Sequence, residues 1–135
     1  MRYGPPPLYQ RRNREVAERT RQRQEREEEA PRLSEEVPSL RSLRLTMRFL
    51  RGAQAVPESQ HVRIVVVPRA PALFVVPCSD PLCREGGHDV TREIMVHLRA
   101  SRGTFGGEAS CNGSLGSAAA PCVRLMSFAA DATYA

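Results

Sequence analysis

The sequence contains no tryptophan and no lysine, and aromatic residues make up only 5% of its 135 residues. Because aromatic side chains are scarce, few of them could stack against bases. Any contact with nucleic acid would therefore depend on phosphates and on shape. All 20 basic residues are arginine, and the net charge is +5. A GC-rich coding sequence explains an arginine-only composition, and the functional alternative is an acidic or nucleic-acid partner, because arginine suits phosphate and planar bidentate contacts.

Long apolar runs are also missing. No stretch approaches the roughly 18–20 apolar residues of a membrane span, and the N-terminus, MRYGPPPLYQRR, lacks the apolar run of a secretory signal. We therefore expect a cytoplasmic protein with no membrane partner. In a reducing compartment, cysteines serve more often as metal ligands or catalytic thiols than as disulfides.

Motifs of common enzyme classes are absent as well. The chain has no phosphate-binding loop, no G-x-G-x-x-G, no nucleophile elbow and no H-E-x-x-H, and we find no internal repeat. The sequence therefore predicts no small-molecule substrate and assigns no catalytic residue.

Residues 1–38 contain few apolar side chains, and we expect a flexible proline- and arginine-rich arm and linker there, followed by one domain at 39–135. The opening prolines favour a polyproline II conformation. Residues 11–30 are rich in helix formers but have polar side chains on every helical face. Three interpretations stay open: a solvated helix, a disordered charge run, and an arm that binds along phosphates or an acidic surface. The candidate contact residues in this arm are Arg11, Arg12, Arg14, Arg19, Arg21 and Arg23.

Three short strands are predicted at the start of the domain. Apolar residues alternate with polar ones from Leu43 to Phe49, which is the period of a half-buried strand, although helical spacing also fits this stretch. Residues 61–68 and 72–77 are β-branched and short, and the small gap between them suggests an antiparallel meander. Arg44 and Arg48 would lie on the outer face of the first strand and complete the set of candidate contact residues.

One helix is predicted after these strands. Val90, Ile94 and Leu98 recur on one helical face, with Asp89 as the candidate N-cap and Gly103 as the stop signal. Residues 103–121 are rich in glycine and serine and are expected to be mostly loop, and a last strand begins near residue 122. The expected class is α+β: a small antiparallel sheet in the order β-β-β-α-β, one packed helix and a cysteine metal site.

Four cysteines form two pairs with the spacings C-x4-C and C-x10-C, and all four fall in loops or at strand ends. Zinc prefers tetrahedral sulfur and nitrogen ligands, and structural sites use all four positions. Neither pair has the common C-x2-C spacing, so a disulfide framework of three alternative connectivities and a set of free or redox-active thiols stay open. The predicted zinc ligands are Cys78, Cys83, Cys111 and Cys122, with His88 as the alternative ligand.

These features favour a non-catalytic, zinc-stabilised binding module whose arginine-rich arm contacts nucleic acid, a nucleoprotein or another protein assembly. The alternative is a zinc- or thiol-dependent enzyme that leaves one metal position open, takes its ligands from the four cysteines and His88, and uses Asp89 or Glu108 as the acid-base group. An accessory subunit whose arm inserts into a larger complex is the third interpretation.

Overall fold

A computed structural model describes residues 8–51, 59–79, 83–84, 86–115, 120–122 and 124–135. Contacts divide the chain into two compact units, one before Pro31 and one from Pro31 to Ala135. None of the helices in these ranges is long and apolar enough to cross a membrane. The opening prolines lie outside the described residues, as do parts of five connections in the domain.

The first unit contains one helix, α1 (Leu8–Glu29). None of the α1 side chains that the structure describes is buried, in keeping with a sequence that is polar all round. Arg21 donates a hydrogen bond to Glu18 at 2.6 Å and lies 4.0 Å from Glu25, pairs of the i,i+3 and i,i+4 type that stabilise helices. The flexibility of this segment stays a prediction.

The second unit begins at Pro31, ahead of the boundary between residues 38 and 39 that the sequence suggests. The composition after Pro31 predicts a linker, but the segment contains a short helix, α2 (Leu33–Glu36), and Leu33 is fully buried in the core. The Leu33 N–H donates to the Ala70 carbonyl at 2.9 Å, which ties α2 to the loop after the second strand. A boundary after residue 38 would therefore remove two core residues, Leu33 and Val37.

A four-stranded antiparallel sheet forms the main layer, with the strand order β2-β1-β9-β6. Its strands are β1 (Leu40–Arg51), β2 (Ser59–Val65), β6 (Thr104–Ser110) and β9 (Arg124–Tyr134). The alternation predicted for β1 is confirmed, since the apolar residues from Leu43 to Phe49 are buried and the arginines between them are exposed. The order is not a simple meander, because the last strand of the chain lies between the first strand and β6.

Strand β6 occupies a stretch whose composition predicts mostly loop. Its glycines are needed where β6 approaches β9, because a Cβ at Gly106 would lie only 2.7 Å from the Phe128 carbonyl oxygen. The glycine content that indicated a loop therefore reflects close packing of two paired strands.

Two small sheets lie beside the main one. Strand β3 (Val75–Pro77) pairs with β5 (Gly87–Asp89) and does not join the main sheet. The other small sheet has the order β4-β7-β8 and consists of three two-residue strands: β4 (Cys83–Arg84), β7 (Ser114–Leu115) and β8 (Ala120–Pro121).

Helix α3 (Thr91–Arg99) covers the apolar face of the main sheet. The predicted stripe is confirmed, since Val90, Ile94 and Leu98 are all at most 2% exposed. The helix begins one residue later than predicted, and the Thr91 N–H donates to the Asp89 carboxylate at 3.0 Å. It ends at Arg99, ahead of the expected glycine stop. The α+β class, with an antiparallel sheet, a packed helix and a cysteine cluster, is confirmed.

Candidate metal centre

The four cysteines lie where small strands end, and these strands bring distant parts of the chain together. Cys78 directly follows β3, Cys83 begins β4, Cys111 directly follows β6, and Cys122 lies between β8 and β9. The β4-β7-β8 sheet places the first cysteine pair beside the loop that carries the second pair. Residues up to 44 positions apart in the chain therefore meet at one point.

The sulfur atoms have the spacing of a tetrahedral metal site. All four Sγ atoms lie within 4.8 Å of one another, with 3.7 Å between Cys78 and Cys122 and 3.5 Å between Cys83 and Cys111. Zinc–sulfur bonds of about 2.3 Å in a tetrahedron give sulfur–sulfur edges of about 3.8 Å. A disulfide needs about 2.05 Å. The four cysteines are thus not joined by disulfides, and the cluster is close to the size of a four-sulfur metal site.

Backbone hydrogen bonds hold the Cys111 loop in place. The Gly113 N–H donates to the Cys111 Sγ at 3.4 Å, and the Cys122 N–H donates to the Gly113 carbonyl at 3.0 Å. The Asn112 side-chain oxygen accepts the Gly87 N–H at 3.2 Å, which joins this loop to β5. An amide that points at a sulfur stabilises the thiolate, the form that binds metal.

Gly86 closes the site on one side. A Cβ at this position would lie 2.5 Å from the Cys111 Sγ and even closer to the Cys83 Sγ. Only a residue without a side chain fits here without displacing the two sulfur atoms. Gly86 therefore packs directly against the cysteine cluster.

The cluster is buried and separate from the apolar core. Cys83, Cys111 and Cys122 are 6–8% exposed, and with the half-buried Cys78 they form a packing group of their own. Two-residue strands cannot hold such a region together by themselves. Around the β4-β7-β8 sheet, the buried side chains that the structure describes as packed together are therefore those of the four cysteines.

The protonation of the cluster follows from its crowding. Burial, together with hydrogen bonds to the thiols of Cys111 and Cys78, raises the pKa of Cys83. Burial alone would also raise the pKa of Cys111, but the Gly113 N–H and the neighbouring thiols outweigh it, and the net shift is downward. One thiolate thus opposes the ionisation of the next, and four thiolates at this spacing require a cation to balance their charge.

His88, the alternative ligand, lies outside the group of four sulfur atoms. It is the central residue of β5 and is fully buried, with its ring edge-on to Phe49 at 5.8 Å between centroids. Its Nδ1–H donates to the Ala109 carbonyl at 2.8 Å, and its Nε2 has no hydrogen-bond partner among the described residues. Burial lowers the pKa of His88, and the Ala109 hydrogen bond partly opposes that shift.

The acid-base candidates of the enzyme interpretation are also outside the sulfur group. Asp89 uses its carboxylate to accept the first N–H of α3, and Glu108 lies in β6. The candidate contact residues Arg44 and Arg48 are exposed on the outer face of β1, and the other six lie in α1. No family model, no curated protein and no solved structure matches this chain.

Proposed function

We propose that the protein is a non-catalytic binding module in which Cys78, Cys83, Cys111 and Cys122 hold one Zn²⁺. The observation that carries this proposal is the sulfur spacing, 3.5 Å between Cys83 and Cys111, 3.7 Å between Cys78 and Cys122, and at most 4.8 Å overall. Four-sulfur tetrahedral sites are those that zinc occupies in structural roles. With four protein ligands, the ion has no open position for a substrate, so the geometry supports a structural metal rather than a catalytic one.

The metal would stabilise the region in which the described strands are shortest. It would join the ends of β3 and β6, which Cys78 and Cys111 follow, to the β4-β7-β8 sheet, whose strands have only two residues each. Since the metal site does not exist in the unfolded chain, the free energy of zinc binding adds to the free energy of folding.

Metal analysis of the purified full-length protein tests this part. We expect about one zinc per chain and the loss of that zinc in Cys83→Ser, with a large drop in thermal midpoint. Iron bound by four sulfurs would be recognised by its visible absorption and would change the identity of the metal. Protein that is metal-free after gentle purification, has four titratable thiols and melts cooperatively at the same temperature after chelator treatment would refute the proposal.

We further propose that the module binds the phosphates of nucleic acid, alone or in a nucleoprotein. Support comes from exposed arginines at two places: Arg14 and Arg21 on α1, and Arg44 and Arg48 on the outer face of β1. The ion pairs that Arg21 makes with Glu18 and Glu25 are on the surface, and such pairs are weak enough to be exchanged for phosphate contacts.

Salt dependence tests the phosphate contacts. In full-length protein, replacement of the six candidate contact arginines of α1 by glutamine should weaken binding to RNA or DNA and lower the salt slope by about 0.7–0.9 for each phosphate that an arginine no longer neutralises. A chain that starts at Pro31 should bind as weakly while its melting temperature stays close to that of the full-length protein, because the core begins at Leu33. An unchanged salt slope in both variants would rule out the arm as the binding segment.

A further inference from the structure

Strand β2 forms one edge of the main sheet. On one side it pairs with β1 from Leu43↔Val65 to Phe49↔Ser59, and no strand of the described chain pairs with its other side. A free edge of this kind exposes a row of backbone N–H and C=O groups that another strand can use. Six of the seven β2 residues are exposed or half-buried on both faces of the sheet, so nothing in the described structure covers this edge.

Exposed aliphatic side chains are concentrated at this edge. Val62 is 49% exposed, Ile64 68% and Val66 60%, and among the described residues the only other large hydrophobic side chain so exposed is Val96. The three occupy alternate positions, so Val62 and Ile64 point to the same face of the sheet and Val66 continues their row just beyond the strand. Clustered exposed aliphatic side chains mark interaction surfaces.

The same edge is strongly basic. Residues 37–79 contain six arginines and one carboxylate, Glu58, so this part of the chain is more basic than the arginine-rich arm. On the outer face, Arg44 lies opposite Ile64 in the β1–β2 register. On the other face, Arg63 and His61 are exposed. The edge therefore combines aliphatic contacts with positive charge on both faces.

These two properties identify the kind of partner. Aliphatic side chains offer no stacking platform for bases, whereas free backbone groups and alternating side chains suit an extended polypeptide. For a second copy of β2, the antiparallel pairing centred on Arg63 is unfavourable, because it sets two arginines opposite each other. Charge complementarity requires carboxylates on the partner strand.

We propose that β2 binds an extended segment of a partner protein in which apolar and acidic side chains alternate, added as a fifth strand of the sheet. The apolar side chains of that segment pack against Val62 and Ile64, and its carboxylates lie beside His61 and Arg63. This binding surface uses neither the cysteines nor α1, so it goes beyond the zinc and phosphate contacts proposed above.

A capped peptide, Glu-Val-Glu-Ile-Glu-Val-Glu, serves as the probe, titrated into full-length, isotopically labelled protein as purified. The same peptide with lysine in place of glutamate tests the charge, and a version methylated at alternate amides tests the backbone pairing. We expect the acidic peptide to bind about tenfold more tightly than the lysine peptide, since several opposite-charge pairs replace like-charge pairs. Alternate amides of β2 should exchange more slowly in the complex, and the methylated peptide should not bind.

Two variants and a matched control locate the surface. Arg63→Glu should reverse the preference, so that the lysine peptide binds more tightly than the acidic one. Val62→Thr should weaken binding about fivefold, because a hydroxyl replaces a methyl group in the apolar part of the surface. Val96→Thr makes the same change at a side chain of similar exposure on α3 and should have no effect.

Four results would overturn the proposal. Equal binding of the acidic and lysine peptides, or equal effects of Val62→Thr and Val96→Thr, would show that the peptide does not bind at this edge. Slow exchange of the β2 amides in concentrated protein without peptide would show that a second copy occupies the edge. Displacement of the peptide by a single-stranded oligonucleotide that protects the same amides would assign the edge to nucleic acid. None of these results depends on the zinc content or on the salt slope of the α1 variants, so the proposals fail separately.

Discussion

Gly86→Ala should damage the metal centre without removing a single ligand. The added methyl group would lie 2.5 Å from the Cys111 Sγ and closer to the Cys83 Sγ, far inside the contact distance of carbon and sulfur. Gly113 blocks movement of the methyl group away from the sulfurs, because its Cα would be only 3.1 Å away. Both sulfur atoms therefore have to move, and they are two of the four proposed zinc ligands.

The magnitude follows from two known effects. Overpacking of a filled site costs about 1–3 kcal/mol of folding free energy. Displacement of ligands from their supported positions lowers metal affinity by about 10–100-fold, as the loss of supporting groups around a metal does. We expect both effects in Gly86→Ala. The loss of folding free energy should be larger with zinc present, because zinc binding then adds to the stability of the wild-type protein and the variant loses part of that contribution.

Gly103→Ala is the matched control. A Cβ at Gly103 meets only the Ala132 carbonyl oxygen, at an ordinary contact distance of 3.6 Å. Competition with a chromophoric zinc chelator gives the affinity, and thermal melting with and without zinc gives the stability. If Gly86→Ala binds zinc as tightly as Gly103→Ala does, the sulfur cluster is not the zinc site or Gly86 does not pack against it.

Three further predictions concern the core, pH and oxidation. Ile94→Ala should lower the free energy of unfolding by about 2–5 kcal/mol, and Val96→Ala, at an exposed position of the same helix, by less than about 0.5 kcal/mol; urea melts that show equal losses would contradict the core assignment. Burial in the folded protein lowers the pKa of His88, so the neutral ring makes its full contribution to the free energy of unfolding above the unfolded pKa of about 6.5. As the pH drops below that value, the free energy of unfolding should fall by at most about 1.4 kcal/mol per pH unit. His88→Asn keeps a donor for the Ala109 carbonyl and should remove this slope, and an identical slope in both proteins would refute the assignment. In zinc-free protein, peroxide should convert Cys83–Cys111 and Cys78–Cys122, whose sulfur atoms lie 3.5 and 3.7 Å apart, to disulfides, with two waters released for each; peptide mass spectrometry should find these two pairs, and random pairing would contradict the prediction.

Local patterns determined the elements of this fold that depend on neighbours in sequence. The alternation from Leu43 to Phe49 predicts β1, and the spacing of Ile94 and Leu98 predicts α3, because each periodicity describes which face of an element is apolar. The composition of residues 11–30 left a solvated helix and a disordered charge run open, and the structure contains the helix, α1. Such features need no knowledge of what lies across the core.

The candidate site was predictable only as a set of residue types. Four cysteines at strand ends suggested a metal site, but their spacing left disulfides and free thiols open. The tertiary structure decided that the sulfur atoms meet within 4.8 Å and that His88 lies apart from them in the core, beside Phe49. Long-range strand pairing sets these distances, and no local spacing encodes it.

Other outcomes were decided by close approach between distant segments. Glycine-rich residues 104–110 indicate a loop when considered alone, yet they form β6 because Gly106 lets the strand come close to the Phe128 carbonyl of β9. Leu33 is an isolated apolar residue in a charged segment, yet it is buried because its N–H pairs with Ala70 and its side chain joins the core. In both cases a neighbour distant in sequence determines the structure, and the free energy of packing against that neighbour outweighs the local preference.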